Sequence, residues 1–203
     1  PDPPSPPAYT NYELVFMSTR TPGTQIQLGS IFLMDYDLNL LRIASITNPG
    51  GINPPGQGPE HLFGYFDQGY TTANSLKGLT PQQTQMLSAS KWVDTNMRPN
   101  STLAFSLTGP ASLVAYVFMT ANDAPARDPT SWALYAVQGG VRTQIDLRTN
   151  IQPPTDRWGP YQFFYRAGSE PPPMPPPPDP PSPPPTPPAP PFPPPAPPSP
   201  PAP

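Results

Sequence analysis

The 203-residue chain has no cysteine and a single histidine, His61, and only 11% of its residues are charged. Without cysteine there are no disulfides, no thiolate nucleophile and no sulfur ligand for zinc. With one imidazole, set in a Gly/Pro-rich stretch, Ser/His and Cys/His nucleophile–base pairs have almost no material, and His61 reads as a solvated loop residue. Paired carboxylates stand at Asp35 and Asp37 and at Asp123 and Asp128, but turn roles explain all four without a glycosidase cleft. An enzyme is therefore the least supported reading. The net charge of −3 leaves no basic field for nucleic acid or anionic lipid. No run of 18 apolar residues is present, so membrane insertion is not expected. The chain begins at Pro1 without Met or a signal peptide, which reads as a processed product, a fragment or one repeat of something longer.

What the chain has in excess is proline, 42 residues, concentrated at its two ends. Pro1-Asp2-Pro3-Pro4-Ser5-Pro6-Pro7 and the segment from Pro171 to Pro203 share one texture, and the middle has ordinary proline content. The expected organisation is a proline-rich lead-in over 1–8, one folded domain over 9–167 and a proline-rich stalk over 168–203. About 160 residues suffice for a core without staples.

In the middle, apolar and polar residues alternate with period two, and β-branched or aromatic runs are separated by turn residues at short intervals. Strands are expected over 12–18, 25–34, 40–46, 102–107, 113–120, 131–137, 143–147 and 161–166. Leu103, Phe105 and Leu107 alternate with Ala104 and Ser106, marking a half-buried strand, whereas 113–119 is apolar on both faces and should be central. Residues 48–59 read as a loop. A short helix is expected over 80–87, with Thr80 as cap, Pro81 in the first turn and Gln83 completing a capping box. Eight strands, few helices and long loops predict an all-β fold, a jelly-roll β-sandwich.

Ser90-Lys91-Trp92-Val93-Asp94, the segment from Tyr116 through Asn122-Asp123-Ala124-Pro125-Ala126-Arg127-Asp128-Pro129 to Trp132 and Tyr135, and the opening run from Ile26 to Asp35 resemble the discoidin family, also called coagulation-factor five/eight C-type, of galactose-binding-like domains. The resemblance implies an eight-stranded jelly roll that binds glycans or other surfaces through loops at one end. Many relatives contribute an Asn-x-x-Asp-Gly turn to a structural calcium site. Here Asn74-Ser75-Leu76-Lys77-Gly78 puts a cation where the carboxylate stands, which leaves Asp67 and nearby carbonyl oxygens as the candidate calcium donors.

Asn122, Asp123, Arg127 and Asp128 offer an amide, two carboxylates and a guanidinium that could hydrogen-bond sugar hydroxyls. Alternatively Asp123 or Asp128 pairs with Arg127 and caps the turn, setting Trp132 into the core. Trp92 is expected in the core, and Trp158, in a turn-rich stretch, could be an exposed aromatic platform. Asn100-Ser101-Thr102 is an N-glycosylation sequon just ahead of a strand.

Proline fixes φ near −65° and removes the backbone donor, so the C-terminal segment is expected to form a polyproline II stalk. Its 33 residues, at ~3.1 Å each, would span roughly 100 Å. Proline-recognition modules favour a basic residue beside a PxxP core, and Pro171 to Pro203 contains none. The Ser/Thr/Ala-Pro-Pro blocks that include Pro183, Pro184, Pro185, Pro187, Pro188, Pro190, Pro191, Pro200 and Pro201 resemble the hydroxyproline-rich glycoproteins of plant and green-algal walls, the extensin and pherophorin types. That resemblance implies hydroxylation and short O-linked sugars at those prolines. The expectation is a structural subunit of an extracellular filament, wall or flagellar-surface fibre that assembles head to tail with its own copies. The alternative is a lectin-like module on a proline-rich tether.

Overall fold

The computed structural model describes residues 6–23, 25–68 and 91–166, with the side chains of 65–68 excepted. The described residues lie within one unit of the chain, Pro1–Glu170. Their regular structure is mostly antiparallel strand: β1 (Tyr9–Thr19), β2 (Ile26–Leu28), β3 (Ser30–Met34), β4 (Ile43–Thr47), β5 (Trp92–Asp94), β6 (Ser101–Ala111), β7 (Ala115–Met119), β8 (Pro129–Gln138), β9 (Val141–Arg148) and β10 (Phe164–Tyr165). A five-stranded sheet has the order β4-β6-β1-β8-β9, a three-stranded sheet the order β10-β7-β3, and β2 pairs with β5.

The alternation read from the sequence decides which face of the large sheet is covered. Tyr12, Leu14 and Phe16 of β1, Leu103, Phe105 and Leu107 of β6, and Trp132, Leu134 and Ala136 of β8 are buried. Asn11, Glu13, Val15, Thr102, Ala104 and Ser106 alternate with them on the opposite face. β7 is buried along its whole length and lies between β10 and β3, the central position its two apolar faces required. Phe118 of β7 joins the layers. Its ring lies 5.8 Å from Phe16, 4.9 Å from Trp132 and 6.1 Å from Phe164, centroid to centroid, and Phe16 in turn meets Trp92 of β5 at 5.7 Å. Packing of this kind makes truncation of such a ring cost about 3–5 kcal/mol.

Several elements depart from the sequence expectation. The strand expected over 25–34 is interrupted at Gly29, where the chain passes from the β2–β5 pair to the β3–β7 pair. A Cβ at Gly29 would lie 2.6 Å from the Thr120 carbonyl oxygen and 3.2 Å from the Trp158 ring, so only glycine fits. β4 starts at Ile43, because Leu40 forms only an isolated bridge to Met34. β10 keeps two of the six residues expected over 161–166. Residues Pro59–Gln68 form two merged 3-10 helices with a kink at Phe63, so His61 sits in helix and not in loop. The helix expected over 80–87 lies outside the described residues, as does the proposed stalk.

The loop 48–58 is strapped to β5, an element too short to show in the sequence. Val93 N donates to Gln57 O and Thr95 N to Ile52 O. Buried Asp94 accepts from the backbone N–H groups of Ile52 and Asn96 and from the Ser101 hydroxyl. β8 and β9 form a hairpin in which Gly139 and Gly140 both have positive φ, the condition a type I′ turn sets.

Both ends of this domain lie at one connection. The Ser112 hydroxyl, between β6 and β7, donates to the Pro6 carbonyl, and Arg166 N donates to Val114 O.

Candidate functional site

The residues singled out between β7 and β8 do converge with those near Trp158, but through partners the sequence did not point to. After β7 the chain bends through Ala124, whose φ of 41° is left-handed, into a single 3-10 turn, Pro125–Arg127, and then into β8. That turn leaves Asp128 at the start of β8 with its side chain fully buried. A buried carboxylate needs compensation. Asp128 receives it from two guanidinium groups: Arg157 binds side-on, Nη1 to Oδ1 at 3.0 Å and Nη2 to Oδ2 at 2.6 Å, and Arg20, just past β1, places Nη2 3.2 Å from Oδ2. Arg20 also donates to the carbonyls of Pro125, Pro153 and Pro154. The expected Asp128–Arg127 pair does not form. Arg127 carries the turn's backbone but its side chain meets no charged partner among the described residues, because Asp128 points into the domain towards Arg20 and Arg157.

Asp123 is half-exposed and pairs with Lys91, while its backbone carbonyl accepts from Gln27 and from Arg157. Asn122 is exposed. Trp158 has φ of 60°, and its ring packs over Gly29 and is partly buried. One edge of the indole thus lies against the backbone, and the rest of the ring is partly exposed. Below this network Tyr161 donates to Pro129 O. Burial, and secondarily the Asp128 charge, push its hydroxyl far above the ordinary tyrosine range. A cavity of about 440 Å³ adjoins it, lined by the amides of Asn150, Gln152 and Gln162 with Ile151 and Pro154.

A second buried polar chain crosses the core. Trp132 Nε1 donates to the Tyr116 hydroxyl at 2.7 Å, Tyr116 donates to Asp146, and Arg148 Nε donates to the same carboxylate oxygen at 2.8 Å. Burial first, and then the Asp146 charge, raise the Tyr116 pKa well above its usual value.

Arg20, Gln27, Lys91 and Arg157 were not foreseen as site residues. Arg157 stood in the turn-rich stretch beside Trp158. Nothing local in the sequence links Arg20 to a residue 108 positions away. The remaining expectations resolve separately. Asp35 accepts the Asn39 N–H at 2.8 Å, a turn role as expected, and Asp37 is exposed. Asn100 is exposed directly before β6. Residues 74–78, the Asp67 side chain and the prolines from 183 to 201 lie outside the described residues. Among those described, no group of three His, Asp or Glu side chains stands close enough to hold a metal ion, and no helix is long and apolar enough to cross a membrane.

No family model matches the chain, and no curated protein or solved structure matches it either.

Proposed function

We propose that this chain is a non-catalytic structural subunit of an extracellular glycoprotein filament, a cell-wall or flagellar-surface fibre in which galactose-binding-like jelly-roll domains alternate with glycosylated polyproline II rods. The observation that carries the reading is the convergence of the domain's two ends: Pro6 meets Ser112 and Arg166 meets Val114, two residues apart. A domain whose chain enters and leaves at one point can hang from a proline-rich rod as a side bead. Its buried carboxylates Asp128 and Asp146 are held by arginines of the same domain, in keeping with a structural role. In this reading the stalk prolines, from Pro183 to Pro201, are hydroxylated and O-glycosylated, and copies associate head to tail, an open contact that extends without closing.

The test is electron microscopy of native material together with glycopeptide mass spectrometry of the stalk. Fibres with laterally attached beads and sugar-bearing hydroxyproline are expected. Dispersed monomers with unmodified proline would overturn the reading.

A carbohydrate-binding module on a tether is the second reading, favoured by the amide-lined cavity beside Tyr161 and by the exposed Asn122 and the half-buried Arg127, which lie near Asp128 in sequence. Its test is glycan-array binding that is lost in Gln162→Ala or Arg127→Ala.

A further inference from the structure

The outer face of the five-stranded sheet carries a furrow separate from the Asp128 and Asp146 networks. Along β6 the outward side chains are short: Thr102, Ala104 and Ser106. Opposite them in register stand Val15, Glu13 and Asn11 of β1. On the other flank β4 brings Ser45 opposite Ser106 and Thr47 opposite Ala104. Short residues between longer ones leave a trough of about 210 Å³, lined by Asn11, Glu13, Ser45, Thr47, Ala104 and Ser106. Its lining mixes donors and acceptors. The Ser45 and Ser106 hydroxyls share one hydrogen bond at 2.6 Å that either can donate, Asn11 adds an exposed amide, and Glu13 is held by Arg142.

Asn100 falls in the same alternation as Thr102, Ala104 and Ser106, one position before the strand, and is exposed, whereas Ser101, Leu103 and Phe105 are buried. It is the acceptor of the Asn100-Ser101-Thr102 sequon. Four to six residues of strand separate it from the trough, about 13–20 Å at the usual rise, a reach for a short chain of sugar rings. Met17, the outward residue of β1 beyond Val15, is 37% exposed and offers an apolar patch near the start of that path.

We infer that Asn100 carries an N-linked glycan whose core lies back along the outer face of β6 and seats a sugar ring in the trough between Asn11, Ser45 and Ser106. The occupant is set by chemistry. A neutral sugar presents hydroxyls that both donate and accept, matching the mixed lining, together with a C–H face for Val15 and Met17. A polyproline segment offers carbonyl acceptors and no donors, and would leave the acceptor oxygens of Asn11, Ser45 and Ser106 without a match. Like the filament, this inference requires passage through a glycosylating secretory route, so it rests on that part of the reading above.

The experiment uses the full chain from its native or another N-glycosylating host. Glycopeptide mass spectrometry reads occupancy at Asn100 and, separately, at the stalk prolines. Amide spectra of isotope-labelled protein are compared before and after enzymatic removal of the N-glycan. Expected are an occupied Asn100 and, beyond the shifts at Asn100 and its own neighbours, shifts at Asn11, Ser45, Ala104 and Ser106. Native-state removal should run about tenfold faster in Ala104→Trp, which fills the trough, corresponding to about 1.4 kcal/mol of lost contact. Should that variant not fold, Asn11→Ala is read the same way, with faster removal again expected. An occupied Asn100 whose removal shifts none of the trough amides overturns the inference. A bare Asn100 on a chain with sugar-bearing stalk prolines overturns it while leaving the filament reading intact. A chain without sugar anywhere overturns both.

Discussion

Asp128 and Asp146 are both buried carboxylates, yet their counter-charges come from different distances in sequence. Asp146 meets its guanidinium at close range, Arg148 two residues along the same strand, and also accepts from the Tyr116 hydroxyl on β7. Asp128 is served only from afar, by Arg20 and Arg157, which stand on separate segments. The first network stitches β7, β8 and β9 across the core. The second ties three loops into one end of the domain, and each loop depends on the other two for its place. The difference teaches where a polar group is a local accessory of a strand and where it is the only thing fixing loop geometry.

Breaking the long-range network should have the larger effect. Asp128→Ala leaves two partly buried guanidinium groups facing each other, and is expected to lower unfolding stability by about 3–5 kcal/mol, measured by urea denaturation. A loss under about 1 kcal/mol would mean that the loops hold without the carboxylate. In the other network Tyr116→Phe leaves the Trp132 N–H without its acceptor and Asp146 with Arg148 but without the tyrosine donor, for an expected cost of about 1–3 kcal/mol.

The same tyrosine sharpens the comparison through pH. Tyr116 and Tyr161 both have pKa values raised above the ordinary 10.0. Their unfolded forms lose protons first, so the stability they confer is complete below pH 10.0 and declines as pH rises beyond it. The slope is about 1.4 kcal/mol per pH unit for each tyrosine. Alkaline denaturation of Tyr116→Phe should therefore be shallower by one group, and an unchanged slope would show that Tyr116 ionises freely when folded. The smallest effect is expected at the solvent edge. Asp123→Asn loses the ion pair to Lys91 but keeps the backbone carbonyl that Gln27 and Arg157 use, and about 0–1 kcal/mol is expected by thermal unfolding.

The strands were legible where burial is one-sided. In β6 the alternation of Leu103, Phe105 and Leu107 with short outward residues identified both the strand and its inner face, and the uniformly apolar β7 announced its central place. What escaped was structure set by tertiary contact. The break at Gly29 exists because the Trp158 ring and the Thr120 carbonyl press there, and neither is near in sequence. The three residues of β5 are too few for periodicity, and they are held in part by the Asp94 hydrogen bonds to Ile52 N and Ser101. At the candidate site the turn around Asp128 was legible from its prolines, but the charge partner was not. Proximity in sequence favoured Arg127, whereas burial turned the carboxylate towards Arg20 and Arg157. Near the C-terminus Tyr161 and Phe164 are buried while Phe163 and Tyr165 lie nearer solvent, a division that the aromatic run 161–165 does not announce.

The meeting of Pro6 and Arg166 at the 112–114 connection also governs how the domain would respond to being pulled. Tension applied through two ends that leave side by side falls first on the Ser112–Pro6 hydrogen bond and on the two-residue pairing of β10 with β7. The two contacts would not yield alike: the first is a single hydrogen bond, whereas opening β10 draws Phe164 out of the ring lattice around Phe118. The N-terminal end would therefore give slack before the C-terminal one.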